Sequence, residues 1–92
     1  MVDRLRKEIK ELVVSGKLGK AKDQLTAYLK ENVEDDEAYY LLGNICRKQA
    51  DWKNAIHYYL SAVEINPDSP AGEAHKAVME ILNFSNPDLY NP

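Results

Sequence analysis

The sequence predicts an all-α fold: two stacked helix hairpins closed by a fifth helix. Three observations predict it. Apolar residues recur three and four positions apart along most of the chain and never alternate as they would in a strand. The chain resembles itself when slid by 34 residues. Helix-stopping residues separate the periodic stretches by only a few positions, so consecutive helices must run antiparallel. With 92 residues the chain holds one domain, because two halves of it would each bury too little apolar surface.

Each helix has its own signals. Leu5, Ile9 and Leu12 share one face of the first, and Gly16 supplies the left-handed residue that closes it. Leu18, Ala21, Leu25 and Tyr28 mark the second. The acidic run around Asp35 and Asp36 caps the third, whose inner face carries Tyr39, Leu42 and Cys46. Asp51 stands as the N-cap of the fourth, defined by Trp52, Ala55, Tyr59 and Ala62. The segment "NPDSPAG" ends the fourth, then offers Ser69 as N-cap and Pro70 as first residue of the fifth. Ala74, Val78 and Ile81 are the expected inner face of that last helix.

The internal repeat aligns Leu12 with Cys46, Gly16 with Ala50 and Leu18 with Trp52. It continues with Ala21 on Ala55, Leu25 on Tyr59 and Val33 on Pro67. A period of this length carried by helix pairs denotes a stacked solenoid, in which each pair covers apolar surface that its neighbour leaves open. The second unit reads Tyr39, Leu42-Gly43, Cys46, Ala55, Tyr59, Ala62 and Pro67, and with these residues the chain resembles the tetratricopeptide repeat family. The first unit departs from the family pattern with Ile9 for a glycine and Val33 for the proline; the second departs with Cys46 for an aromatic and Ala50 for the turn glycine.

The resemblance spans roughly residues 2 to 84. It implies a right-handed α-solenoid with repeats at 1–34 and 35–68, a capping helix at 69–84 and a C-terminal tail at 85–92. It also implies a scaffold or co-chaperone that holds partner peptides on its concave side. Gly43, in a helix interior where glycine costs about 1 kcal/mol relative to alanine, is expected to let the third helix cross the fourth closely, facing Ala55.

Carrying the repeat into the fifth helix places Glu73, Lys76 and Glu80 where the apolar Tyr39, Leu42 and Cys46 stood, and Asn83 extends this polar stripe. The fifth helix is therefore expected to be a solvating cap. With Arg4, Lys7, Glu8 and Glu11 outward at the other end, the array reads as complete. The tail after Asn83 carries Phe84, Leu89 and Tyr90 and is expected to fold back over apolar surface.

Composition excludes several functions. A net charge of −3 and a pI near 5.3 argue against nucleic acid as a partner. The single cysteine forbids an intramolecular disulfide and a zinc site with two thiolates, which fits a reducing, cytoplasmic setting. The N-terminus has the charge pattern of neither a signal peptide nor an anchor, so no membrane contact is expected. Cys46 shares the inner face with Tyr39 and Leu42, His57 lies opposite Ala55 and Tyr59, and His75 has no acidic orienter nearby in sequence. The run "ENVEDDE" lacks the spacing of a calcium loop, and Gly16 and Gly19 follow no strand. No enzyme, metal or cofactor is expected.

The remaining candidate is the concave face. It gathers Arg6 and Lys10 from the first helix, Tyr40, Leu41, Asn44, Arg47 and Lys48 from the third, and His75 and Val78 from the fifth. Arg6, Lys7, Lys10, Arg47 and Lys48 make one side basic, and Val78 with Leu82 makes the other apolar. Such a groove suits an extended peptide with an acidic group or a C-terminal carboxylate at one end and apolar side chains at the other. A subset of the resembled family clamps the terminal carboxylate of heat-shock chaperones. Arg6 matches a clamp lysine, but Lys10 and Leu41 replace its asparagines, Ala71 a lysine and His75 an arginine, so that clamp is not expected. The protein is expected to be a monomer or weak homodimer, and a self-associating assembly module is the alternative reading.

Overall fold

A computed structural model describes residues 1–85. Five helices follow one another: α1 (Asp3–Val14), α2 (Leu18–Glu31), α3 (Asp36–Lys48), α4 (Trp52–Ile65) and α5 (Ala71–Ser85), with no strand among the described residues. The expected fold-back of the tail, with Leu89 and Tyr90, lies outside the described residues.

The helix ends show why the repeat is written as it is. Beyond α1 the amide of Gly16 donates to the Val13 carbonyl (3.0 Å) and that of Lys17 to Leu12 (2.8 Å), with Gly16 at φ +78°. Beyond α3 the same pair of bonds recurs: Ala50 donates to Arg47 (3.0 Å) and Asp51 to Cys46 (2.9 Å). Both are Schellman closures, which need a left-handed residue. Alanine fills that place in the second hairpin, at φ +58°. The starts of α3, α4 and α5 are capped by side chains. Asp35 accepts from the Ala38 amide (3.2 Å), Asp51 from Asn54 (3.4 Å), and Ser69 Oγ from Ala71 (3.1 Å).

α3 is the spine of the core. Its Ala38, Leu42 and Ile45 are buried with Ile9 of α1 and Ala21, Leu25 and Leu29 of α2. Its Cys46 is buried in a second cluster with Ala55, Tyr59 and Ala62 of α4 and Ala71, Val78 and Leu82 of α5. Alanines at Ala21, Ala38, Ala55, Ala62 and Ala71 are wholly buried and keep neighbouring helices close. The broadest interface is α3 on α4.

At that interface the partner of Gly43 differs from the expected Ala55. A Cβ placed on Gly43 would lie 2.4 Å from Cδ1 and Cε1 of Tyr59, so the glycine makes room for an aromatic ring. The Tyr59 hydroxyl then donates to Asn44 Oδ1 at 2.6 Å, which ties the ring to the next residue of the helix it crosses.

The inner face of α5 is also corrected. Ala71, Val78 and Leu82 are buried, Ala74 is half-buried, and Ile81 is 38 % exposed. Ala71 and Val78 thus occupy the roles that Ala38 and Ile45 have one repeat earlier, one residue out of step with the exact period. A helix shifted by one residue turns by about 100°. That turn carries Val78 and Leu82 from the concave face into the core. Glu73, Lys76, Glu80 and Asn83 stay exposed on the opposite side, as the polar stripe requires.

Candidate functional site

α1 and α3 begin successive hairpins, and their exposed sides meet in a cleft of about 260 Å³. Its floor is apolar: Ile9 and Ile45 are buried, Val13 and Leu41 half-buried. Val14 on the rim is 79 % exposed. Lys10 and Lys48, both exposed, stand on opposite helices along it, and Asn44 contributes its amide. Because the Asn44 side-chain carbonyl already accepts from Tyr59, its NH2 group is the part left to donate.

One end of the cleft is closed by an ion pair. Arg6 Nε lies 2.6 Å from Glu37 Oε2, and Arg6 Nη2 lies 2.8 Å from Glu37 Oε1, a two-pronged bridge between α1 and α3. Arg6 Nη1 also pairs with Asp3, and Nη2 donates to the Met1 carbonyl at 3.0 Å. The hydrogen bonds from Arg6, then its charge, hold the Glu37 carboxyl below its ordinary range against the opposing effect of burial. Next to this pair, partial burial pushes the Asp35 carboxyl up. The Tyr28 hydroxyl, the Met1 amino group and the Ala38 amide outweigh that and hold it low.

The sequence-derived groove therefore divides. Lys10, Leu41, Asn44 and Lys48 line the cleft together. Arg6 lines it too, but its guanidinium is committed within the protein and is not the free cation expected of it. Tyr40 is half-buried against the Tyr59 ring, 6.1 Å between centroids, in the second core cluster. Arg47 is half-buried on the same turn and faces the Tyr59 phenol, whose pKa burial raises while Arg47 lowers it. His75 is half-buried on α5, and Val78 is fully buried, so neither lines the α1/α3 cleft. Sequence reasoning missed Ile9 and Ile45 as its floor: Ile9 was assigned only to the packing face of the first helix, and Ile45 to no role. It also missed Glu37 as the partner of Arg6. The available signal was an acid on α3 one turn from an α1 arginine once the repeat is superposed.

Chemistry other than binding finds little here. Cys46 is wholly buried, and burial pushes its thiol pKa up, which keeps it protonated. No group of three or more potential metal ligands clusters among the described residues. No described helix is long and apolar enough to cross a membrane.

Comparison with known proteins adds a family match and a structural likeness. A family model described as tetratricopeptide repeat matches residues 36–69. The solution NMR structure of Bacteroides fragilis protein BF1650 is similar over 98 % of this chain and 91 % of that one, with 52 % identity and a TM-score of 0.88. No curated protein matches.

Proposed function

The chain belongs to the tetratricopeptide repeat family, whose members are generally protein-interaction modules, and from that premise we propose that it binds a partner peptide or protein in the α1/α3 cleft without catalysing a reaction. The observation that carries this reading is the cleft itself: apolar surface left open by Val13, Val14 and Leu41 beneath two lysines that pair with no carboxylate among the described residues. Exposed apolar surface of this kind is retained where a partner covers it. The non-catalytic reading rests on the family, whose members are generally not enzymes, and accords with Cys46, a buried thiol held protonated. A reducing, cytoplasmic setting accords with that free cysteine.

Capture of partners from a cell lysate tests the proposal, with the wild type beside a Lys10→Glu, Lys48→Glu double variant. Both lysines are exposed, so the fold should persist. A specific partner retained by the wild type and lost by the double variant is the expected result. Identical partner sets would remove the cleft from consideration.

A further inference from the structure

α1 and α3 run parallel: the Arg6–Glu37 bridge ties their first halves, and Lys10 and Lys48 flank one cleft toward their ends. The α1–α2 turn and the α2–α3 turn therefore stand at opposite ends of the molecule, about 20 Å apart along the 14 residues of α2. These ends carry opposite charge around exposed valines. At the first, Lys7, Lys10 and Glu11 lie beside Val14, and Lys17 and Lys20 follow in the turn and the start of α2. At the second, Val33 is 62 % exposed among Glu31, Glu34, Asp35 and Asp36. Glu11 and Asp23 at one end and Lys30 at the other oppose this pattern without reversing it. Asp35 is held by Met1 and Tyr28, and Asp36 accepts from Asn66, but Glu31 and Glu34 are fully in solvent reach. Neither these two glutamates nor Lys17 and Lys20 form an ion pair among the described residues.

Two local anomalies fall at the basic end. Lys17 and Lys20 sit at the positive pole of α2, which has no acid in its first turn and, unlike α3 and α4, no side-chain cap. Their charge therefore adds to the field of the helix instead of opposing it. Gly19 is the second anomaly. It is helical, and a Cβ there would meet nothing within 4 Å, so neither its backbone nor internal packing calls for glycine. Gly16 has its left-handed φ and Gly43 has Tyr59 as the reason for being glycine. Gly19 leaves the backbone at this surface open to close approach from outside.

We infer that the protein associates with itself head to tail, the Val14, Lys17 and Lys20 end of one copy seating the Glu31, Val33 and Glu34 end of the next over the bare backbone at Gly19. Charge complementarity designates a second copy as the occupant: each end presents an exposed valine, and the charges around the one are the counterpart of those around the other. Because two different surfaces meet, the contact is heterologous and repeats from copy to copy. Lys17, Lys20, Glu31 and Glu34 do not line the α1/α3 cleft, so this association is tested apart from peptide binding.

Analytical ultracentrifugation of the full chain, up to about 1 mM protein, tests the inference. In about 0.01 M salt the weight-average mass should rise with concentration past twice the 10.5 kDa of one chain, and in about 1 M salt it should return to the monomer. Lys17→Glu with Lys20→Glu spoils the basic end, and Glu31→Lys with Glu34→Lys spoils the acidic one. Each double variant alone should associate about tenfold or more weakly than the wild type. Mixed, the two should associate again, because the acidic end of the first meets the basic end of the second. Both reversals suit the dipole of α2, so circular dichroism should show the helices intact. Gly19→Gln controls for general attraction between unlike charges: it changes no charge, favours the helix and should still weaken association, by filling the bare surface. A wild type that stays monomeric at about 1 mM in low salt overturns the inference. So does a mass that stops at twice the monomer, the mark of a closed two-fold pair, or a mixture of the double variants that stays monomeric. Gly19→Gln associating as strongly as the wild type overturns it as well.

Discussion

At the scale of single residues, two small side chains in equivalent kinds of constraint point in opposite directions. Gly43 lies under the Tyr59 ring, which is fully buried and held at its tip by Asn44, so the ring has nowhere to retreat from an added methyl. Gly43→Ala should destabilise the fold, because overpacking costs about 1–3 kcal/mol and exceeds the roughly 1 kcal/mol gained in helix propensity. A urea titration that places the variant above the wild type would contradict this. Ala50 is the reverse case. It holds a left-handed backbone in an exposed turn with its closure bonds already made. Ala50→Gly should therefore stabilise by about 1 kcal/mol, since the strain of a Cβ at positive φ outweighs the added freedom of the unfolded glycine. The first hairpin already carries Gly16 at this place. The sequence showed both positions as departures or matches of one pattern; the physical sign of each depended on what stands next to it.

At the scale of elements, the register of α5 and the tie between α1 and α3 are the features to test. Val78 is buried and Ile81 faces outward, so Val78→Ala should cost about 2 kcal/mol, whereas Ile81→Ala should stay within about 0.5 kcal/mol. Equal losses in thermal unfolding would return α5 to the exact repeat. The Arg6–Glu37 bridge predicts a dependence on acid. Because the Glu37 pKa is lowered in the folded state, its stabilisation is fully present above the ordinary glutamate value of about 4.3 and is lost as pH falls through the lowered value. The wild-type urea midpoint should thus drop more steeply from about pH 5 to about pH 3 than that of Glu37→Gln. Asp35, also held low, contributes to the part of the drop that the variant retains.

At the scale of the whole molecule, one helix joins two core clusters. α3 gives Leu42 and Ile45 to the first and Cys46 to the second, so neither hairpin keeps its core when α3 is lost. Unfolding should be a single transition, with Trp52 fluorescence, which reports the second cluster, and helical circular dichroism sharing one midpoint. Separate midpoints would show two independent units. The existence of five helices, their caps, the packing role of Gly43 and the polar outer face of α5 were legible in the sequence, because each depends on periodicity or on a residue's own backbone chemistry. The neighbour of Gly43, the rotation of α5 and the neutralisation of Arg6 were not, because each is settled by which side chains meet across helices far apart in sequence. Local pattern determined the all-α repeat and the side of the molecule on which a cleft would lie. Only the tertiary structure decided its chemistry: the one-residue shift that buries Val78, and the Glu37 carboxylate that takes Arg6 while Lys10 and Lys48 pair with no carboxylate among the described residues.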